Sequence, residues 1–398
     1  MRVHLVFLLM ASQSSSASIE KTTIFVNASP VIGASRRIAR LGILEVAHGN
    51  SSERVPLILD SEGSRSELVI PVTLESVQEE MNGHEDDESY FPSAYDETSV
   101  TFRIRNSWVG EPDIELEDTN VLTQKYLPME EEGDDESPRL ETYGTLAIGP
   151  SSSFANQFKS FVIVPSVLGT GVDERIVKQL VINPINAGCD CAGPDYRMKA
   201  ATAIRVPGIG YTTSDTWAVM GSSRLVDDTR TTSLRLSAAA SQEARYRIST
   251  ASNVDYIPAN VYDALVANIT AQGASVSQSE TDDLLKLTII SNCEKVKNWP
   301  KIAYSIALAS GQGSGSNNVF DIVIDESDYT EPMTPFFEDH ESESGLCILH
   351  LEPLRQIYSK PIEEYTLGVN MLNKIAIHFD NVNRQVGFCY SARIRRSV

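Results

Sequence analysis

Short apolar runs separated by polar, turn-rich bridges make up most of this chain. Residues 41–46 and 55–59 are apolar-rich and flank a polar bridge, and this spacing predicts a β-hairpin. Residues 101–105 alternate between apolar and polar side chains, which is typical of a strand with one buried face. Further predicted strands cover residues 68–72, 158–168, 217–225, 245–250, 284–291, 302–308 and 319–324.

Helical patterns are few and short. Residues 173–180 predict one short helix, and residues 259–269 predict another, which Pro258 opens. Residues 183–194 combine prolines with glycines, so we predict that they connect two halves of similar size. The hydrophobic pattern therefore predicts a mainly β protein with a few short helices.

Acidic side chains dominate the charge of the chain, whose formal net charge is −21. Two acidic runs, residues 85–88 and 130–136, repel themselves too strongly to pack, so we predict solvated loops there. A surface this acidic repels phosphate groups, which argues against a nucleic acid or an anionic membrane as a partner. Hydrophobic residues still make up 41% of the chain, which is enough for a sizeable core.

The first residues have the pattern of a signal peptide. Arg2 precedes a short apolar run at residues 3–10, and small residues at 16–18 suit cleavage. We therefore expect secretion to the extracellular space, with the endomembrane or vacuolar route as the path. The apolar run is too short to span a bilayer, so we expect no membrane-spanning segment.

The cysteines fit this oxidising route. The chain has five cysteines, and an odd count leaves at least one thiol unpaired or bound to another chain. Cys189 and Cys191 lack the second ligand pair of a zinc site, so we expect no metal and no cofactor. Acceptor triplets at Asn27, Asn50 and Asn268 predict a glycoprotein.

The most specific pattern covers residues 365–388. They read as an apolar pair with Gly368, a short helix, a strand, a turn at Asp380 and a last strand that ends in Val-Gly-Phe. This succession resembles, without a gap, the C-terminal signature of the pepsin-like aspartic proteases (peptidase A1 type).

Other segments are similar to further parts of that family. Asp60 follows an apolar strand within residues 57–64, which resemble the first catalytic loop. Residues 167–169 resemble the apolar-apolar-glycine element that supports this loop, and residues 255–258 resemble the segment after the second catalytic loop. The resemblance also implies a disulfide bond between Cys293 and Cys347, where the family's C-terminal lobe usually has one.

The family's reaction needs two aspartates that share one proton and hold a water molecule between them. One acts as a base towards the water while the protonated one polarises the scissile carbonyl, and their mutual repulsion separates the two pKa values. Aligned without gaps to the family's Asp-Thr-Gly-Thr-Ser, the chain has Ser249 at the second aspartate and Ala251 at the glycine. Because a serine hydroxyl does not ionise near neutral pH, the resemblance implies a catalytically impaired protein.

Two positions stay open from the sequence. Asp60 fits the first catalytic aspartate as a remnant, whereas counting back from Pro71 places Glu62 there. The family covers its cleft with a tyrosine on a hairpin, and Asn106 and Tyr143 are the rival candidates for this substrate-binding position.

The resemblance implies a bilobal pepsin-like acid protease fold, with two β-rich lobes around a central cleft. Residues 1–18 would be the signal peptide, residues 19–190 the N-terminal β lobe and residues 191–398 the C-terminal β lobe. The expected function is that of a monomeric pseudoprotease that binds a peptide or protein in its cleft. The alternative is an active aspartic-type endopeptidase whose second carboxylate the alignment misplaces.

Overall fold

The structure is a computed structural model in which most described residues lie in strands, so the prediction of a mainly β protein with few short helices is confirmed. The described residues are 24–32, 39–49, 54–71, 95–106, 112–126, 144–168, 175–182, 199–202, 216–226, 243–252, 254–279, 287–308, 319–332, 345–354, 364–369, 371 and 375–390. The predicted signal peptide, both acidic runs, the connection at 183–194, Asn50, Cys189, Cys191 and Tyr143 lie outside these ranges.

The first half of the chain contributes strands β1 to β9, built largely from β-branched and aliphatic residues that suit a pleated, half-buried surface. They are β1 Ile24–Ile32, β2 Ala39–His48, β3 Val55–Asp60, β4 Glu67–Pro71, β5 Tyr95–Ile104, β6 Ile114–Tyr126, β7 Gly144–Ala147, β8 Ser160–Leu168 and β9 Arg175–Ile182.

The second half contributes strands β10 to β23, most of them shorter than those of the first half. They are β10 Lys199–Thr202, β11 Ala218–Val226, β12 Ala244–Ile248, β13 Asp255–Pro258, β14 Ser275–Ser279, β15 Leu287–Ser291, β16 Lys301–Ala307, β17 Val319–Ile324, β18 Thr330–Pro332, β19 Leu346–Leu349, β20 Leu351–Leu354, β21 Glu364–Leu367, β22 Ile375–Asp380 and β23 Gln385–Tyr390.

The described helices are α1 Ser153–Phe158, α2 Ala259–Ala271 and α3 Glu326–Tyr329, with a 3-10 turn at Cys293–Lys295. Helix α2 follows Pro258 as predicted, and it buries Val261, Leu265 and Ile269, which share one face at a spacing of four residues. None of the described helices is long and apolar enough to cross a membrane.

The strands form three sheets. A 12-stranded sheet has the order β10-β23-β22-β8-β9-β1-β2-β3-β7-β4-β6-β5. A 7-stranded sheet has the order β17-β16-β11-β12-β21-β13-β20, and a 4-stranded sheet has the order β14-β15-β19-β18. Strands β22 and β23 therefore come from the second half of the chain but complete the sheet of the first half.

Aromatic side chains join the two large sheets. The ring of Trp217 lies 5.3 Å from that of Phe379, which in turn stacks on Phe161 at 5.1 Å. Trp217 is fully buried, and its indole Nε1 donates a hydrogen bond of 3.0 Å to the carbonyl of Ile148. Trp217 is thus a core residue, and it lies directly behind the site described below.

The prediction of a helix at residues 173–180 is wrong. Residues Arg175–Ile182 form β9, which lies between β8 and β1 with antiparallel pairing on both sides. Four β-branched residues within Arg175–Ile182 favour the extended form. The segment is also central in its sheet, so pairing with two neighbours outweighs the weak helical pattern.

The predicted disulfide bond between Cys293 and Cys347 is confirmed. The bond closes a loop over a sequence separation of 54 residues and ties the 3-10 turn to β19. We expect Cys293→Ser with Cys347→Ser to lower the free energy of unfolding by on the order of 2–4 kcal/mol, because the unfolded chain loses its cross-link. Urea unfolding of the wild type with and without reductant, beside the double variant, measures this, and equal stability of all samples would contradict it.

Candidate functional site

Asp60 and Ser249 stand at equivalent places in two similarly built segments. Asp60 ends β3, which pairs in parallel with β7, and Ser249 follows β12, which pairs in parallel with β21. In each segment the preceding residue is a buried aliphatic one aligned with a leucine, Leu146 in the first and Leu367 in the second. The backbone therefore presents both positions in the same way.

The residues that follow, Ser61 and Thr250, bind each other's loops reciprocally. Ser61 Oγ donates to the carbonyl of Ile248 at 2.6 Å, and Thr250 Oγ1 donates to the carbonyl of Leu59 at 2.6 Å. The backbone NH of Ser61 donates to Thr250 Oγ1 at 3.0 Å, and the backbone NH of Thr250 donates to Ser61 Oγ at 2.9 Å. We call this set of four buried hydrogen bonds the interlock; neither loop can shift without breaking bonds to the other.

The interlock also aligns the two loops. Ser61 follows Asp60 as Thr250 follows Ser249, so Asp60, rather than Glu62, is the counterpart of Ser249. Glu62 is then the counterpart of the alanine two places after Ser249. Both loops therefore carry a residue with a side chain at this third position, where the resemblance led us to expect glycine.

The backbone support of the first loop differs from the prediction. Residues 167–169 were predicted to support it, but Val167 lies in β8 and pairs with Ile176 of β9. The support comes instead from Ile148 and Gly149, whose NH groups donate to the carbonyls of Asp60 at 2.8 Å and of Gly63 at 3.0 Å. Both stretches are apolar pairs followed by glycine, so the pattern alone does not separate them.

Two glycines let the supporting segments approach the loops closely. A Cβ at Gly149 would lie 2.4 Å from the carbonyl oxygen of Gly63, and a Cβ at Gly368 would lie 2.6 Å from that of Ser252. Both distances are far below van der Waals contact, so a side chain at either place would displace the loop.

We expect Gly368→Ala to lower the free energy of unfolding by about 1–3 kcal/mol, because the added methyl group meets backbone that cannot move aside. Thermal and urea unfolding measure the change. Gly49→Ala is the control: its φ of +53° is strained for alanine, but its added Cβ meets no atom within 4 Å. If both variants lose the same stability, the close approach at Gly368 is not the cause.

Asp60 is fixed by its own loop. Its Oδ1 accepts a hydrogen bond of 2.9 Å from the backbone NH of Glu62. Gly63 packs against the other carboxylate oxygen, since a Cβ at this position would lie 2.6 Å from Asp60 Oδ2. The carboxylate is thereby held at one orientation beside the interlock.

Glu62 reaches towards the opposite loop. Arg247 lies on β12, which leads into that loop, and its Nη1 is 3.7 Å from Glu62 Oε2. Burial raises the pKa of Glu62; the charge of Arg247 and the Ser249 hydroxyl oppose this shift, and the charge of Asp60 adds to it. Glu62 therefore holds its proton to a higher pH than an ordinary glutamate does.

A second carboxylate shares the same arginine. Arg247 Nε lies 3.5 Å from Glu364 Oε1, and only 8% of the Glu364 side chain is exposed. Burial raises the pKa of Glu364, and the charge of Arg247 opposes this shift. One guanidinium thus faces two carboxyl groups, Glu62 and Glu364, and cannot fully neutralise both.

Behind the second loop lies a fully buried carboxyl group, Asp255. Its Oδ1 accepts a hydrogen bond of 2.6 Å from the NH of Gly368, and its Oδ2 accepts one of 2.9 Å from the hydroxyl of Tyr304. Burial raises the pKa of Asp255 to about 6, against the lowering effect of these two donors. Asp255 ties the second loop's support to the core of its sheet.

The structure brings Asp60, Ser249 and Glu62 together. Of the two rival candidates for the cleft-covering position, Asn106 and Tyr143, it describes Asn106 alone. Asn106 follows β5 in the connection to β6, just beyond the last aligned pair, Ile104 with Ile114. It therefore lies at the tip of a long hairpin. Tyr143 lies outside the described residues, so the choice between the two stays a prediction.

Sequence reasoning missed the interlock and Arg247. The signal for the interlock was present, since a hydroxyl residue follows the key position in both loops, at Ser61 and Thr250. Arg247 carried no comparable signal, because an arginine two residues before a loop is common on any strand.

No protein-family model matches the chain, and no curated protein matches it.

Proposed function

We propose that the chain is a secreted protein of the pepsin-like aspartic protease fold, with two β-rich lobes around a cleft that binds an extended peptide. In this proposal the replacement of the second catalytic aspartate by Ser249 has made it a pseudoprotease with little hydrolytic power. A peptide or protein segment is the ligand, and the protein works as a monomer.

The observation that carries the proposal is the interlock. Ser61 and Thr250 exchange hydrogen bonds immediately after Asp60 and Ser249. Such an exchange fixes two loop positions opposite each other, which is the arrangement that a pair of catalytic carboxylates requires. The parallel pairing of β3 with β7 and of β12 with β21 also supports the proposal, because it builds the two loops alike.

The long hairpin of β5 and β6 supports peptide binding. It brings Asn106 to its tip, and an extended ligand beneath such a hairpin can pair with backbone groups as an added strand. Main-chain hydrogen bonds then supply affinity, and pockets for alternate side chains supply specificity. Neither contribution needs a second catalytic aspartate, so binding survives the loss that Ser249 represents.

A labelled statine-containing peptide tests this proposal by fluorescence anisotropy at about pH 4, where acidic sites of this class work. We expect saturable binding with a Kd on the order of 1–100 μM. Ser249→Asp should tighten the binding at least about tenfold, because the statine hydroxyl then lies between two carboxyl groups.

The control is a peptide of the same length with proline at alternate positions, which lacks the backbone NH donors at those positions and so cannot complete a strand pairing. We expect it not to bind. Equal binding of both peptides, or no saturable binding of the statine peptide, would refute the proposed peptide site.

A further inference from the structure

Three charged side chains, those of Glu62, Arg247 and Glu364, meet beside the interlock. Arg247 lies two residues before Ser249 on β12, and Glu62 lies two residues after Asp60. Arg247 Nη1 is 3.7 Å from Glu62 Oε2, and Arg247 Nε is 3.5 Å from Glu364 Oε1. We call these three side chains the charged cluster. Because two residues of extended chain span about 7 Å, the cluster lies within one or two ligand residues of the proposed peptide site.

The charges of this cluster do not balance. Two carboxyl groups face one guanidinium, so the cluster has an excess of negative charge when both glutamates are ionised. Both ion pairs are also longer than a charge-assisted hydrogen bond, which measures about 2.7–2.9 Å. The Arg247 side chain donates its hydrogen bond elsewhere, from Nη2 to Thr366 Oγ1 at 3.5 Å. Neither carboxyl group is therefore satisfied by the arginine that it faces.

Glu364 is a buried acceptor that lacks a donor. Only 8% of its side chain is exposed, and its Oε1 accepts no hydrogen bond among the described residues. This oxygen faces Arg247 Nε, which is likewise buried and without a hydrogen-bond partner in that part of the chain. An unsatisfied buried carboxylate is costly, and a further positive charge in the cluster reduces that cost. Glu62 and Arg247 are 29% and 25% exposed, which gives a ligand access to the cluster.

The surroundings of the cluster keep its excess of negative charge. The further charged or titratable groups around it are Asp60, Arg245, Tyr256 and Glu352. They add two carboxyl groups and one guanidinium, so carboxyl groups outnumber guanidinium groups in the whole set as well. An acidic ligand side chain would increase this imbalance, whereas a basic one reduces it.

We propose that the charged cluster recognises a basic side chain, lysine or arginine, of a bound peptide. This inference rests on the peptide site proposed above and assigns to it a class of ligand. The cation of the ligand donates to the partly exposed carboxylate of Glu62, on the side away from Arg247. Two cations then face two carboxylates, and Glu364 is stabilised by the added charge without touching the ligand. Glu62 is thus the residue that determines specificity, and Arg247 positions it.

This recognition depends on pH, because a carboxylate attracts a cation only while it is ionised. Burial raises the pKa of Glu62 and that of Glu364, so both hold protons at about pH 4 and Arg247 is the remaining charge of the cluster. At about pH 7 both glutamates are ionised and the cluster is anionic. The preference for a basic side chain should therefore be present at neutral pH and disappear in acid.

The test compares statine peptides that differ in one side chain, which is either lysine or norleucine. Norleucine has nearly the length of lysine but no charge. The exchange is made in turn at each of the two positions on either side of the statine, and fluorescence anisotropy with the full chain gives each Kd. At one or more of these positions we expect the lysine peptide to bind roughly 5- to 20-fold more tightly at about pH 7, and within about twofold of the norleucine peptide at about pH 4.

Three variants make the preference specific, each measured as the ratio of the two Kd values at about pH 7. Glu62→Gln keeps the shape of the side chain but removes its charge, and the ratio should fall below about 2. Arg247→Gln removes the competing cation, and the ratio should rise by at least about twofold. Glu67→Gln, which removes an exposed glutamate on β4, should keep the wild-type ratio. A merely structural role of these side chains would alter the binding of both peptides alike and leave the ratio unchanged.

The outcomes separate this inference from the peptide site itself. A lysine preference that is lost in Glu62→Gln and kept in Glu67→Gln supports it. Equal binding of lysine and norleucine peptides by the wild type at all four positions, or a preference that persists in Glu62→Gln, overturns it and leaves the peptide site standing. If none of these peptides binds in a saturable way, the peptide site fails and this inference fails with it.

Discussion

Thr250→Val is expected to lower the free energy of unfolding by roughly 2–5 kcal/mol and to abolish peptide binding at the site. Valine keeps the shape of threonine but removes the hydroxyl that accepts from the NH of Ser61 and donates to the carbonyl of Leu59. Both partners are buried, and each unsatisfied buried polar group costs about 1–3 kcal/mol. The loop that carries Asp60 then loses its fixed position relative to Ser249.

Urea unfolding measures the stability, and fluorescence anisotropy with the statine peptide measures the binding. The matched control is Thr288→Val, because Thr288 is equally buried but its hydroxyl has no hydrogen-bond partner among the described residues. This control should be neutral or stabilising. Similar losses in the two variants would show that the interlock contributes nothing beyond the burial of a threonine.

Asp255→Asn is expected to stabilise the protein at neutral pH by about 3 kcal/mol and to leave its stability at about pH 3 unchanged. The pKa of Asp255 is raised by burial from 3.8 to about 6. Below about pH 4 the folded and unfolded states both hold the proton. As the pH rises towards about 6 the unfolded state releases it first, so folding stability falls until the folded state ionises too.

Asparagine does not ionise, so it removes this loss of folding stability at higher pH. It also keeps an acceptor for the NH of Gly368 and a polar partner for Tyr304. Urea unfolding at several pH values between about 3 and 7 measures the slope of stability against pH. Asp263→Asn, which removes an exposed carboxylate from α2, is the control and should keep the wild-type slope. A slope in Asp255→Asn as steep as in the wild type would exclude Asp255 as its cause. Burial also raises the pKa values of Glu62 and Glu364, so these two residues likewise lower the folding stability as the pH rises.

The strand pattern could be predicted from the sequence because it depends on local alternation. The segments around β3, β12 and β17 were located closely, and helix α2 was placed to within two residues at its end. Residues 173–180 were mistaken for a helix because one sheet neighbour of the strand found there, β1, is distant in sequence. Pairing over such distances leaves no trace in the segment itself.

The site was predicted in part. Asp60 and Ser249 were identified from loop patterns, and the structure places them at equivalent positions. What no pattern showed is that Glu62 faces Arg247, because the direction of a side chain depends on the packing of two segments separated by nearly half of the chain. The supporting element at Ile148 and Gly149 was missed for a related reason, since its role is set by a parallel pairing with β3.

The insertion of β22 and β23 beside β8 has a consequence for synthesis on the ribosome. Until residues Ile375–Tyr390 have emerged, β8 presents an open edge on the side that faces β22, with hydrogen-bonding groups that β22 satisfies in the finished sheet. Open edges of this kind recruit other strands and promote aggregation. The edge of β8 therefore stays open for nearly the whole time that the second half takes to be translated. During that time the nascent first half depends on a chaperone that covers the edge, or on translation that is faster than aggregation.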